Sequence, residues 1–310
     1  MKKNLFYLFM LICSVSFFTA CDKDDKEPDY SGTYTGKELA VKLNGIPQLD
    51  KTIVLSSTEI TLNEIVAGEQ TLKLPVVFTG ATFAGSSETA DRKVSVEGNI
   101  VNDSLTVNVS LTLTNALVGT WNIFEGNVTL KMEAPAGTEV VFFGNKIPAE
   151  SFQMLMPMLM GSIPQAYLKD VTFQANGFVV ANYDGNGNAG KGDSWVKSPE
   201  GAVKWYVKDG MVYLLPDLAI MMPQSKATSN PLEDMLTNGM PMHFTIDGDA
   251  LNVYVTKEQM LPTMDIIIAL LEGMDTSGNA MLEMMKPAIP EMKVIMEQST
   301  VFDLGMNLKK

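Results

Sequence analysis

The stretch from Ser104 to Thr114 alternates without a fault: Leu105, Val107, Val109, Leu111 and Leu113 fall on one side of an extended chain, and Thr106, Asn108, Ser110 and Thr112 on the other. A period of two puts one face in a core and leaves the other in water, the pattern of an antiparallel strand rather than a helix. Runs of related Val-, Ile-, Leu- and Thr-rich character at 51–57, 58–65, 71–78 and 93–101 fill most of residues 30–116. Asn102-Asp103 separates the last two runs with a tight-turn dipeptide, so neighbours in sequence become neighbours in space. Six or so short strands must dispose of their edges, and complete or partial closure into a small barrel does so.

A second unit, 117–310, uses the same pattern with insertions. Asn176-Gly177, Asp209-Gly210 and Asp247-Gly248-Asp249 each separate two extended runs and accept the positive φ that a short hairpin turn needs. Between the hairpins, 149–163, 230–240, 256–274 and 278–289 have helical character. The clearest helix is 256–274: Thr256 and Gln259 form a capping box, and Met260, Met264, Ile267, Ile268 and Leu271 recur at helical spacing. An extended run at 299–308 then returns to the sheet. The expected fold is therefore mainly β, with two antiparallel meander or barrel units and helical insertions in the second.

The first twenty residues read as a processing signal, with a basic Met1-Lys2-Lys3 start and an apolar run from Leu5 to Phe18 that is too short for a membrane anchor. Phe18-Thr19-Ala20-Cys21 resembles the lipobox of bacterial lipoproteins, with Phe18 where Leu is usual, and the resemblance implies lipidation of Cys21. An ordinary secretory signal is the alternative. Cys13 would leave with the signal, so Cys21 would be the one cysteine remaining and no internal disulfide could form. Residues 21–29 are charged and contain Pro28, the composition of an acidic tether. Lys23, Asp24 and Asp25 directly behind the cysteine look like the export signal of Bacteroidetes surface lipoproteins, while a linker without sorting content would read alike. The location implied is the outer membrane, lipid-anchored, at the cell surface or on the periplasmic face.

A formal net charge of −13 points away from nucleic acid and leaves any membrane attachment to the lipid. Gly192-Asp193-Ser194-Trp195 suggests an esterase serine, but the one histidine, His243, has Met240 rather than an aspartate three residues before it, so a serine lacks its base. Asp184, Asn186 and Asn188 begin a calcium-type loop that lacks glycine at position 189 and glutamate at position 195. One histidine and one mature cysteine offer no zinc ligand set. Thirty-six acids leave paired carboxylates open on count alone, though none stands beside an aromatic sugar platform. The expectation is no enzyme, no metal and no cofactor. Asp103-Ser104-Leu105 matches a short Bacteroidetes O-glycosylation acceptor pattern, which leaves the state of Ser104 open.

Twenty-two methionines are the compositional oddity, concentrated at 154–160, 219–223, 240–242 and 281–286. Such side chains either fill a core between helices and barrel or line a cavity or groove that accepts varied apolar partners. A copper relay is disfavoured because Leu and Ile flank the clusters. If they form a cavity, Met154, Met156, Met158, Met160, Met264 and Ile268 are its candidate lining.

Ser31-Gly32-Thr33-Tyr34 opens the first unit and Val118-Gly119-Thr120-Trp121 the second. With these openings, the hairpin meander and a late helix before the closing strand, the chain resembles uncharacterised Bacteroidetes lipoproteins with calycin-like, or lipocalin-like, β-barrel domains. The resemblance implies that Gly119 permits close backbone approach and that Tyr34 and Trp121 close their barrels. In lipocalins an arginine packs over that tryptophan, whereas the one arginine here is Arg92 in the first unit, so a cation over Trp121 is either a lysine or absent. The function expected is a non-catalytic lipoprotein binding an apolar or amphipathic small molecule in the second unit. The alternative is a structural lipoprotein that docks another envelope protein through a Met-rich surface.

Overall fold

A computed structural model describes residues 29–161, 163–185, 194–217, 220, 238–273 and 280–310. Cys21, Lys23, Asp24 and Asp25, with the rest of 1–28, lie outside the described residues, as do Asn186, Asn188 and the expected helical stretch 230–237. The chain is mainly β, with a curled sheet formed by the first run of strands and a closed eight-stranded antiparallel barrel formed by the second.

The curled sheet contains β1 (Gly32–Thr35), β2 (Leu39–Leu43), β3 (Ile46–Gln48), β4 (Thr52–Leu55), β5 (Glu59–Asn63), β6 (Thr71–Thr79), β7 (Thr82–Glu88), β8 (Arg92–Val101) and β9 (Ser104–Leu113). Their order is β1-β4-β5-β6-β7-β8-β9-β2-β3. The curl is made at β6, which gives Thr71–Pro75 to β5 and Val76–Thr79 to β7, so that one strand serves two differently inclined halves. The alternation of β9 holds: Leu105, Val107, Val109 and Leu111 are buried while Thr106, Asn108, Ser110 and Thr112 are exposed. Asn102 (φ 49) and Asp103 (φ 62) make the expected tight turn. Among the described residues the ring is not completed by hydrogen bonds, and β1 and β3 are the ends of the ladder. Two features carried no local signal. β7 is rich in Gly and Ser and is held by neighbours on both sides, and β2 returns to lie parallel beside β9.

The barrel is built from β10 (Gly119–Asn122), β14 (Leu168–Phe173), β15 (Phe178–Asp184), β17 (Val203–Lys208), β18 (Met211–Pro216), β19 (Met240–Asp247), β20 (Ala250–Thr256) and β21 (Val301–Lys309), closed by pairing of β10 with β21. β11 (Val128–Glu133) extends the sheet along β21, β16 (Trp195–Lys197) pairs with β15, and β12 (Glu139–Phe142) and β13 (Asn145–Pro148) form a separate hairpin. All three hairpins expected from their Asn, Asp and Gly turns are present, with Asp209 (φ 51) and Gly210 (φ 75) in the left-handed region.

Among the described residues four helices accompany the barrel: α1 (Ala149–Met160), α2 (Ile163–Tyr167), α3 (Lys257–Gly273) and α4 (Ala280–Gln298). α1 and α2 lead into β14, α3 leaves β20 and α4 enters β21, so strand direction puts them all at one end of the barrel. The backbone N–H of Thr256 donates to Gln259 Oε1 at 2.9 Å, as the capping box requires. α4 runs past Ile289 to Gln298 despite Pro287 and Pro290. Burial of Met292, Ile295 and Met296 in a core shared with α1, α3, β12 and β21 supplies the packing that offsets the hydrogen bonds prolines remove.

The β14–β15 turn of the barrel enters the curled sheet. Leu113 N–H donates to Ala175 O at 2.6 Å, and Asn44 Nδ2 donates to Asn176 O at 2.7 Å while its Oδ1 accepts from Leu111 N–H at 3.0 Å. Phe178, fully buried, belongs to the curled sheet's core rather than the barrel's.

Candidate functional site: an apolar recess under the helices

The inward residues of the barrel separate into two layers. Trp121, Trp205, Phe173, Val212, Leu251 and Leu308 fill the end away from the helices, with Phe173 and Trp205 edge to face at 5.2 Å. Toward the helices, Phe302 and Leu304 of β21 continue into a core shared with α1, α3 and α4. Between floor and helices lies a recess of about 280 Å³. Its wall is Met242 of β19, Val253 and Val255 of β20, and Leu304 and Met306 of β21, alternate residues whose side chains point inward by the strand period. Val128, Met156, Met160 and Pro164 complete it from β11 and the α1–α2 segment.

α1 divides the candidate methionines. Phe152, Met156 and Met160 follow one another at the helical interval of four and face the barrel, with Met156 at 2 % exposure. Met154 and Met158 point out, at 73 % and 76 % exposure. Residues two apart on a helix differ by about 200° in direction, so four alternate methionines could not all line one cavity. That corrects the candidate lining: Met156 and Met160 belong to it, Met154 and Met158 do not. Met264, 2 % exposed on α3, packs in the helical core rather than at the recess, and Ile268 on α3 is half-buried and likewise outside its lining. Met242 fell within one of the methionine clusters, whereas the wall residues Val253, Val255, Leu304 and Met306 were not singled out from the sequence, although the alternation of β20 and β21 marks their face.

Trp121 is fully buried at the barrel floor, and its indole N–H donates to Leu117 O at 2.8 Å. The cation over it is Lys310, whose Nζ stands 4.6 Å from the ring centroid. Gly119 takes φ 139, and a Cβ there would meet Lys310 Cε at 3.2 Å, so glycine admits the lysine that covers the tryptophan. Tyr34 is half-buried on β1 and donates its hydroxyl to Tyr30 O at 2.9 Å. Burial, and then the neighbouring acids Asp103, Asp29 and Glu38, push its phenol pKa up. Ser194 donates to Asp184 Oδ1 at 2.6 Å, and His243 on β19 stacks on Tyr254 with centroids 5.0 Å apart.

Fold and site together define a closed antiparallel barrel with a packed floor, a Met-lined recess and a helical cover, joined to a second, curled sheet. Comparisons with protein-family models, curated proteins and solved structures found no match.

Proposed function

We propose that the chain is a non-catalytic, lipid-anchored protein of the bacterial cell envelope, at the outer membrane, that holds an apolar or amphipathic small molecule in the recess of its barrel. The supporting observation is the recess itself: among the described residues its side chains are aliphatic or thioether apart from Tyr254, a lining that rewards an apolar guest. Met156, Met160, Met242 and Met306 adapt their shape at little cost, which suits a guest of variable outline. The lipobox-like Cys21 and the acidic tether support the envelope location.

Native mass spectrometry of the purified chain should reveal a co-purifying apolar molecule, or an apolar fluorophore should gain emission on mixing. Met242→Asp should abolish the gain while leaving the circular dichroism spectrum in place. No gain with the parent chain and no extractable molecule would end the binding reading.

A second reading has its own observation. Met154, Leu155 and Met158 leave an exposed apolar strip on α1, the expected form of a surface that docks another envelope protein. Co-purification of a neighbouring protein that is lost in Met154→Asp but kept in Met242→Asp would favour docking.

A further inference from the structure

A second concavity, of about 900 Å³, lies between the curled sheet and the outer wall of the barrel. Its barrel side is β17, where Val203, Trp205 and Val207 point inward and Lys204, Tyr206 and Lys208 therefore share the outer face. Its other side is Lys51 and the segment 64–71, with Gln70 and Thr71 in the lining and the Thr71 hydroxyl donating to Asn63 Oδ1 at 3.3 Å. The acids in the lining are engaged. Glu69 pairs with Arg92 at 2.7 Å, Glu64 with Lys51 at 3.8 Å, and Asp217 accepts from Ile220 N–H at 3.3 Å. Lys204 is half-buried and its ammonium donates to the neutral Gln48 Oε1 at 2.6 Å. Among the described residues no carboxylate forms an ion pair with Lys204 or Lys208. Burial first, and then the charge of Lys51, hold the Lys204 pKa below its ordinary value, and the charge of Asp217 opposes them only in part.

A half-buried ammonium that donates to a neutral amide oxygen, Gln48 Oε1, is one that an incoming anion would stabilise further. We propose that this cleft binds an elongated anionic ligand of oligosaccharide size, with acidic groups held by Lys204 and Lys208 and its hydroxyls by the Gln70 and Thr71 side chains. The two lysines stand four residues apart on one strand, a separation of about 13 Å at the base. That span and the cleft volume suit an acid-bearing chain better than a single ion.

The test is calorimetric titration of the full chain with a trimer of galacturonate, a sulfated trisaccharide, a neutral trisaccharide and inorganic phosphate. An acidic trisaccharide should bind about tenfold more tightly than the neutral one and weaken as salt is raised. Lys208→Gln, at an exposed position, should lower that affinity about fivefold, and Lys208→Glu further. Lys204→Met should abolish it while leaving an apolar fluorophore in the barrel recess unaffected. Equal binding of the neutral trisaccharide, binding of inorganic phosphate alone, no binding of any probe, or affinity unchanged in both Lys208 variants would each overturn the proposal. Should Lys204→Met fail to fold, the Lys208 pair decides.

Discussion

Single residues divide by which way they face, and the methionines of α1 show how sharply. A charge at a buried position must be desolvated, whereas on the outer face it stays in water. Met156→Asp should therefore cost several kcal/mol in urea unfolding, and Met158→Asp less than about 0.5 kcal/mol. The helical interval of four was available in the sequence and separates 156 and 160 from 154 and 158; treating the run as a block of one residue type concealed it. The basic partner of Trp121 was legible only in part, since the sequence left a lysine or no cation there, and Lys310 fills the place. Lys204 makes a prediction in pH. Its folded-state pKa lies below the ordinary 10.5, so between the two values the unfolded chain holds more protons and stability rises with pH. Any advantage of Lys204→Met over the parent chain should accordingly shrink as unfolding is measured from neutral pH up toward that value.

At the scale of elements, the hairpins were legible because a two-residue turn demands positive φ and Asn, Asp and Gly advertise it, as Asp209-Gly210 does. Elements held by their surroundings were not. β7 is a strand because β6 and β8 flank it, and α4 continues through two prolines because Ile295 and Met296 are completely buried. The recess wall lay between these cases: β20 and β21 were seen as strands, but which face meets the helices depends on the barrel closing. The β12–β13 hairpin, also unanticipated, is tied to α4 by the Glu291 carboxylate, which accepts the backbone N–H groups of Phe143 at 2.5 Å and Gly144 at 3.0 Å. Glu291→Ala should cost about 1 kcal/mol, the pair being exposed, and amide exchange at 143 and 144 should accelerate more than elsewhere. Unchanged exchange at those two amides would show that the hairpin is held by Val140 and Phe142 packing alone.

For the whole molecule, the junction between sheets carries the strongest expectation. Gly177 has φ 81, and a Cβ there would stand 2.8 Å from Leu111 Cδ2, so Gly177→Val combines backbone strain with a clash inside the other sheet's core. Unfolding followed by circular dichroism should change from one transition to two, with the curled sheet melting first. A single transition at an unchanged midpoint would mean the two sheets are coupled elsewhere. None of this was visible locally, because Phe178 belongs by sequence to one sheet and by packing to the other.

The parallel seating of β2 beside β9 has a consequence in time. During synthesis β2 is available about 65 residues before the strand it must pair with, and Phe178 arrives later still. Until then the first strands have neither a completed sheet nor a filled core. Contacts so distant along the chain fold slowly and leave strand edges open to wrong partners. The stage most in need of a holding chaperone therefore lasts until the second sheet has begun to emerge.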